Sequence, residues 1–181
     1  MKIIESTIPD VKIIEPTVFG DDRGFFYESY NKYQFEKLIG QTVNFIQDNH
    51  SKSSFGVLRG LHYQLAPYAQ AKLVRCITGR VLDVAVDLRK SSPSFGKHFS
   101  IELNETNKLM LWIPRGFAHG FITISDSAEF VYKTDNTYHK KSERCIKWDD
   151  PDLRIPWPKI LPKLSEKDSN SLNFRDAEMF D

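Results

Sequence analysis

The sequence has little cysteine, no long apolar run and almost no excess of charge of either sign. Its 181 residues include two cysteines, with 25 Lys plus Arg against 24 Asp plus Glu for a formal net charge of +1. Balanced charge gives no global attraction to nucleic acid or to a membrane surface, and we expect neither as a partner. Cys76 and Cys145 lie in separate predicted strands, which favours packed thiols in a reducing cytoplasm over a disulfide.

The apolar segments are also too short to cross a bilayer. The longest unbroken run, residues 109–113, falls far short of the roughly 20 residues that a spanning helix needs. The first residues turn polar at once, so we expect no secretory signal. A chain of this length can bury a core without a disulfide or metal. We therefore expect one domain over residues 1–181, with an irregular tail from about residue 149.

Short alternating segments dominate the rest of the chain. Residues 81–88 alternate Leu and Val with Val, Asp and Ala, which predicts a strand with one buried face. Further strands are predicted at 11–18, 24–30, 43–49, 57–65, 72–78, 98–103, 109–113, 121–125, 129–134 and 144–148. One internal helix is predicted at 32–38, and Gly40 is its expected end.

The connections between these strands contain turn residues rather than crossover helices. Glycine, proline, asparagine and serine cluster at 20–22, 90–96, 104–107 and 114–116. Many short strands without intervening helices predict an all-β fold, an antiparallel sandwich or barrel with a few short helices. Four prolines between residues 151 and 162 break regular structure and predict a tail wrapped over the domain.

Four polar residues have a regular spacing relative to glycine and proline residues. His62 and Gln64 follow a glycine, Lys72 precedes a second glycine, and His119 follows a turn that contains proline and glycine. This pattern resembles the cupin superfamily, whose jelly-roll barrel binds a divalent metal through three histidines and a glutamate. Gln64 and Lys72 stand where a histidine and the glutamate would be, and a protonated ammonium has no lone pair for a metal. We therefore expect a cupin-type barrel without metal, whose mouth suits an anionic ligand and proton transfer.

Longer blocks resemble the dTDP-4-dehydrorhamnose 3,5-epimerase family from the N-terminus to about residue 157, and the resemblance is visible again at residues 164–168. They are FGDDRGFFYE at 19–28, QDNHSKS at 47–53, LRGLHYQ at 58–64, KLVRC at 72–76, WIPRGFAHGF at 112–121, EFVYK at 129–133 and LSEKD at 164–168. The resemblance implies inversion at C3 and C5 of dTDP-4-dehydro-6-deoxy-D-glucose, giving dTDP-4-dehydro-L-rhamnose for rhamnose synthesis. It also implies a homodimer that uses no cofactor.

The resemblance implies four catalytic residues. A hydrogen beside a ketone is a weak acid, so its removal needs a base, a group that stabilises the enolate, and a proton donor on the opposite face. His62 is expected to be the base, since an imidazole titrates near neutral pH, with Asp168 orienting it. Lys72 is expected to meet the charge on the C4 oxygen, and Tyr132 to return the proton.

The remaining matched positions are expected to bind the nucleotide sugar. Arg23, Arg59 and His119 match contacts to the diphosphate or sugar, where guanidinium groups form forked hydrogen bonds. The other matched or suggested positions are Phe19 and Tyr138 as apolar faces, Glu28, Gln47, Asp48 and Asn49 at the nucleotide and sugar, and Glu143 and Lys167. In the family the segment around Arg23 and Glu28 reaches the neighbouring subunit's site, which implies that dimerisation completes each pocket.

Strand alternation gives an independent check on this site. Gln47 and Asn49 share a face, as do His62 and Gln64. Arg59 and His62 lie three residues apart, so a regular strand would direct them to opposite faces. Both can reach one ligand only if the strand is disturbed, and we predict a bulge at Gly60.

Other functions remain open at the level of sequence. A C3-only epimerase or a ketoisomerase of a related dTDP-4-keto sugar would use the same residues. A metal-dependent cupin oxygenase or isomerase would need Lys72 to move away from the metal position. A non-catalytic sugar-nucleotide binding protein is disfavoured because His62, Lys72 and Tyr132 are present together.

Overall fold

A computed structural model describes all 181 residues and contains thirteen strands and two short helices. The strands are β1 (Lys2–Glu5), β2 (Lys12–Glu15), β3 (Phe19–Asp21), β4 (Gly24–Phe26), β5 (Gln47–Ser54), β6 (Leu58–Gln64), β7 (Lys72–Thr78), β8 (Arg80–Asp87), β9 (His98–Asn104), β10 (Met110–Ile113), β11 (Phe117–Thr123), β12 (Ser127–Thr134) and β13 (Glu143–Cys145). The helices are α1 (Lys32–Ile39) and α2 (Glu166–Ser169), and a 3-10 turn covers Phe174–Asp176. Neither helix has the length and apolar character needed to cross a bilayer.

The strands form two facing antiparallel sheets. One has six strands in the order β1-β2-β10-β7-β12-β5, and the other has five in the order β13-β6-β11-β8-β9. Apolar residues from both sheets, including Val74, Phe130, Val81 and Phe121, pack into one buried cluster between them. The predicted all-β jelly-roll fold is confirmed. Because each strand alternates, polar residues on the inner faces share this interior with the apolar cluster.

Helix α1 covers the outer face of the six-stranded sheet. The Asn31 side chain caps its N-terminus by accepting from the Gln34 backbone N–H, and Gly40 ends it with φ of 73°. Buried Phe35 packs edge to face on Trp112, with ring centroids 5.4 Å apart. The predicted helix and its glycine stop are confirmed.

Strand β8 corrects the prediction of a single buried face. Val81, Asp83, Ala85 and Asp87 point into the interior, yet Val84 and Val86 on the other face are equally buried. The second face is covered by the C-terminal tail, which contributes apolar residues to a separate cluster. Alternation cannot reveal this cover, because the covering residues are distant in sequence.

Several other boundaries also differ from the predictions. Strand β11 begins at Phe117 rather than at 121, and β5 spans Gln47–Ser54 rather than 43–49. The segment predicted as one strand at 24–30 contributes only Gly24–Phe26, which forms an exposed hairpin with β3. The tail wraps over the domain as expected, but it is not wholly irregular, because Ser165 caps the short helix α2.

The bulge predicted at Gly60 is present. His62 pairs with His119 and Arg59 pairs with Phe121, so two residues of β6 lie opposite one residue of β11. The extra residue brings Arg59 and His62 to the same face. A Cβ at Gly60 would lie 2.6 Å from the Cα of Gly120, so this position requires glycine.

We expect Gly60→Ala to lower the free energy of unfolding by about 3 kcal/mol or more, since it adds both a steric clash and a strained positive φ. Gly40→Ala is the matched control, because its φ is also positive but nothing lies within 4 Å of an added Cβ. Its expected cost is about 1 kcal/mol. Urea denaturation of both variants measures the difference. Equal losses would mean that the close approach of β6 and β11 carries no energetic weight.

Candidate active site

Four of the predicted site residues project into one end of the barrel interior. His62 on β6 and His119 on β11 are direct cross-strand partners. Tyr132 on β12 pairs with Val74 of β7, two residues along the same strand face from Lys72. The Lys72 ammonium lies 5.9 Å from the centroid of the Tyr132 ring. His62 and Tyr132 thus belong to opposite sheets and face the same space from two sides.

Asp168 reaches His62 from the tail. Its Oδ1 lies 2.5 Å from His62 Nε2, although 106 residues separate them in sequence. The carboxylate is almost fully buried, whereas the His62 side chain keeps 26% of its surface exposed. Burial opposes ionisation of Asp168, but hydrogen bonds from His62 and Ser165 outweigh it and lower its pKa to about 2. A fixed negative charge at Nε2 holds the ring proton there and leaves Nδ1 free to accept a proton.

Lys72 is buried at the floor of the same space. Removal from solvent lowers its pKa to about 8, although Asp83 and Glu143 partly offset this shift. The ammonium is therefore charged at neutral pH with little solvent to screen it. Such a cation can stabilise an anion that forms beside it.

His119 is paired with a residue that the sequence analysis did not single out. His119 Nε2 lies 2.9 Å from Asp83 Oδ2, and the aspartate is fully buried. Burial lowers the pKa of His119 although Asp83 opposes the shift, so this imidazole stays neutral. The signal in the sequence was an aspartate on the inward face of β8, where an unpaired carboxylate would be costly.

The Tyr132 hydroxyl retains its proton. Burial raises its pKa above the ordinary value, and the Arg59 guanidinium only partly offsets that effect. Arg59 itself donates from Nε to Ser53 Oγ at 3.1 Å. A protonated phenol opposite His62 is suited to donate a proton to a carbon atom between them, while the Arg59 guanidinium adds positive charge nearby.

A chain of polar contacts lies at the rim. Lys167 Nζ donates to Glu143 Oε1 at 2.7 Å, and the Tyr138 hydroxyl donates to Glu143 Oε2 at 3.0 Å. Burial opposes ionisation of Glu143, but these two bonds outweigh it and its pKa lies below the usual range. The structure therefore brings the predicted residues Glu143, Lys167 and Tyr138 together.

Strand β5 divides its predicted residues between two faces. Gln47 and Asn49 share the inner face and hydrogen bond to each other at 2.9 Å. Asp48 lies between them, and its carboxylate accepts from Lys133 at 2.8 Å on the outer face. The Asp48 side chain is therefore directed away from Gln47 and Asn49.

Three predicted residues lie away from the interior. Phe19 and Arg23 belong to the exposed β3–β4 hairpin, where Arg23 pairs with Asp21. Glu28 accepts hydrogen bonds from Asn31 and Gln34 beside helix α1. The fold of the chain does not bring these three residues to His62.

The amide of Gln64 does not serve as an open ligand group. It donates to the carbonyls of Tyr68 and Thr137 and accepts from the His139 N–H at 2.6 Å. Its amide therefore holds two loops in place.

The donor atoms of His62, Cys145 and Asp168 lie within 4.8 Å of one another, a set that could ligate a metal. The first and third are already joined by their hydrogen bond. Burial raises the pKa of the Cys145 thiol to about 12, so it stays protonated. This cluster functions as a hydrogen-bonded group around the Asp168 carboxylate.

Comparisons with a family model, with related sequences and with solved structures find the same family. The family model described as dTDP-4-dehydrorhamnose 3,5-epimerase matches residues 5–176. A dTDP-4-dehydrorhamnose 3,5-epimerase from Shigella flexneri is 61% identical over 180 residues, which cover 99% of each chain. The crystal structure of the enzyme of that name from Elizabethkingia anophelis has a TM-score of 0.93 at 55% identity, covering 97% of each chain.

A further solved structure contains a sugar nucleotide. It is a dTDP-6-deoxy-D-glucose-3,5-epimerase from Legionella pneumophila in complex with dTDP-4-keto-L-rhamnose. Its TM-score is 0.93 at 48% identity, covering 96% of this chain and 93% of that one.

We expect the Lys72 ammonium to titrate near pH 8, well below the ordinary pKa of a lysine side chain, about 10.4. Between these values the unfolded chain binds more protons than the folded one, so the free energy of unfolding contributed by Lys72 rises with pH. NMR of lysine labelled with ¹³C at Cε measures the titration directly. Lys72→Met should remove the early titrating signal, whereas the control Lys133→Met on the outer face should keep it. An early signal that survives in Lys72→Met would contradict the assignment.

Proposed function

The chain belongs to the dTDP-4-dehydrorhamnose 3,5-epimerase family, and from that premise we propose how its barrel performs the reaction. The enzyme is an isomerase that epimerises C3 and C5 of dTDP-4-dehydro-6-deoxy-D-glucose to give dTDP-4-dehydro-L-rhamnose. The observation that carries the mechanism is the placement of His62 and Tyr132 on opposite sheets across one space. Inversion requires a proton to leave one face of a carbon and another to arrive at the opposite face.

His62 is the base. Its Nε2–H is held by Asp168 at 2.5 Å, which leaves the Nδ1 lone pair to take the proton from a carbon beside the C4 ketone. The electron pair of the broken C–H bond forms a C=C bond with C4, and the carbonyl electrons move to the C4 oxygen. The resulting imidazolium is stabilised by the buried Asp168 carboxylate.

Lys72 stabilises the enolate. The ammonium is charged at neutral pH and buried in the same interior, so it can pair with the negative charge that develops on the C4 oxygen. In this site a preorganised cation is worth about 3 kcal/mol. Lys72 occupies the position that a glutamate ligand has in the metal-binding barrels that this sequence resembles, and a cation there supplies the charge directly.

Tyr132 returns a proton to the opposite face. Its hydroxyl donates a proton to the carbon that His62 deprotonated, while the electrons of the C=C bond form the new C–H bond and the C4 ketone is restored. The configuration of that carbon is then inverted. The tyrosinate then recovers a proton from solvent, and His62 releases the proton that it removed. C3 and C5 both neighbour C4, so the same groups can act on each carbon in turn.

The rest of the cavity binds the nucleotide. Arg59 offers a guanidinium suited to a diphosphate, and neutral His119 offers a hydrogen bond to the sugar or phosphate. Gln47 and Asn49 line the inner face of β5, while Tyr138, Glu143 and Lys167 form the rim. The deoxyribose and base lie toward that rim in this arrangement.

A homodimer completes the site. Phe19, Phe25 and Phe26 on the β3–β4 hairpin are more than 60% exposed, and a lone two-stranded hairpin is only marginally stable in water. A second copy of the chain would cover these rings and receive Phe19, Arg23 and Glu28 at its pocket. We place the enzyme in the cytoplasm, where dTDP-sugars are made.

We expect the wild-type enzyme in heavy water to incorporate deuterium at both C3 and C5 of dTDP-4-dehydro-6-deoxyglucose, as read by NMR. His62→Asn should abolish exchange at both carbons. Tyr132→Phe should still exchange, because His62 can return deuterium to the face that it deprotonates, but inversion should fall at least tenfold. Tyr63→Phe is the matched control, since this hydroxyl bonds to the Glu178 carbonyl on the other face of β6.

Two outcomes of this experiment would change the assignment. Label at C3 alone would make the enzyme a C3 epimerase. Normal inversion by Tyr132→Phe would remove that residue from the role of proton donor.

We expect a mixture of His62→Ala and Arg23→Ala subunits to recover activity that neither variant has alone. In a mixed dimer, one site receives both defects, and the other combines an intact His62 with the partner subunit's Arg23. Random re-association should restore about a quarter of all sites. Activity assays after mild dissociation and mixing measure the recovery. Mixed dimers that stay inactive would show that Arg23 does not act across the interface.

A further inference from the structure

We propose that Ser165 is a positioning residue that aims the Asp168 carboxylate at His62, an inference that rests on the proposed function. The sequence block LSEKD at 164–168 contains both Asp168 and Ser165. The hydroxyl of Ser165 touches Asp168 twice, once as a donor and once as an acceptor.

The contacts form a chain from the tail into the barrel. Ser165 Oγ donates to Asp168 Oδ2 at 2.7 Å, and Asp168 Oδ1 lies 2.5 Å from His62 Nε2. The same Ser165 Oγ accepts from the Asp168 backbone N–H at 3.2 Å. One oxygen of the carboxylate is thus assigned to serine and the other to histidine, which fixes the rotation of the carboxylate plane.

The backbone around Asp168 does not by itself fix the orientation of the carboxylate. The segment is joined to the barrel by parallel bridges at Lys163 with Val57 and at Leu172 with Ile146. Between these two attachments lies α2, a helix of four residues that is too short to be stable without its cap and its contacts. The Ser165 hydroxyl therefore sets both the helix start and the direction of the carboxylate.

The other side chains near Asp168 do not orient its carboxylate through Oδ2. Cys145 Sγ lies 3.6 Å from Oδ1, on the oxygen that His62 already uses, and a thiol is a weak donor. Lys167 directs its ammonium to Glu143. Ser165 is the side chain that bonds Oδ2.

The consequence concerns the tautomer of His62. While Oδ1 faces Nε2, the ring proton stays on Nε2 and Nδ1 is available to the substrate. A carboxylate free to rotate would lose this contact part of the time, and the ring would then turn or carry its proton on Nδ1. Proton abstraction would slow although substrate binding persists, because the Ser165 hydroxyl bonds to Asp168 and is not among the groups assigned to the substrate.

The test compares Ser165→Gly with Ser165→Thr. Glycine is tolerated at a helix N-terminal cap but has no hydroxyl, whereas threonine keeps both the cap and the donor. For Ser165→Gly we expect kcat to fall about tenfold or more with KM unchanged within about twofold. Ser165→Thr should restore most of kcat. Ser169→Ala is the matched control, since its hydroxyl in the same helix bonds only to the Ser165 carbonyl.

A second readout needs no substrate. The proton shared by His62 and Asp168 should give a far-downfield ¹H NMR signal in wild type, Ser165→Thr and Ser169→Ala. The signal should be lost in His62→Asn, which identifies it, and lost or broadened in Ser165→Gly. A sharp wild-type signal and normal kcat in Ser165→Gly would overturn the proposal, as would an equal loss of kcat in Ser169→Ala. Failure of the epimerase assignment itself would instead appear as no isotope exchange by wild type, with the NMR comparison still valid.

Discussion

The hydrogen bond between His62 and Asp168 connects the inner face of the barrel to the C-terminal tail. The two residues are 106 positions apart in the sequence, and His62 Nε2 lies 2.5 Å from Asp168 Oδ1. The tail must therefore be folded against the five-stranded sheet before the pair that we propose as the catalytic base is complete. The apolar contacts of the tail with the outer face of β8 serve this purpose, because they hold the tail in place without any regular sheet pairing.

The barrel interior combines packed apolar side chains with polar and charged ones. Val74, Phe121 and Phe130 belong to the apolar cluster, while Lys72, Asp83 and His119 are buried beside it almost without solvent. Buried charges of this kind cost stability unless they are paired, and Lys72 has no direct ion pair. In the proposed mechanism this ammonium meets an anion that forms only during the reaction, which is the usual form of electrostatic catalysis. The surrounding sheet pairing supplies the rigidity that this arrangement requires.

Much of the site could be read from the sequence because motif residues and strand alternation are local properties. The shared face of Gln47 and Asn49 followed from their spacing, and the bulge at Gly60 followed from the need to bring Arg59 and His62 together. The pairing of Asp83 with His119 was missed, since alternation shows only that Asp83 faces inward and not what lies opposite. The hydrogen bonds of the Gln64 amide could not be predicted, because its partners are loop backbone groups whose positions depend on the fold.

The sequence by itself determined the all-β architecture, the helix ended by Gly40 and the set of chemically active side chains, because these depend on periodicity, turn residues and residue type. Tertiary structure decided which of those side chains meet. It buried both faces of β8, placed Asp168 and Ser165 behind His62, and left the Arg23 hairpin outside its own pocket. These outcomes depend on contacts between residues far apart in the chain, and such contacts are fixed only when the sheets and the tail pack together.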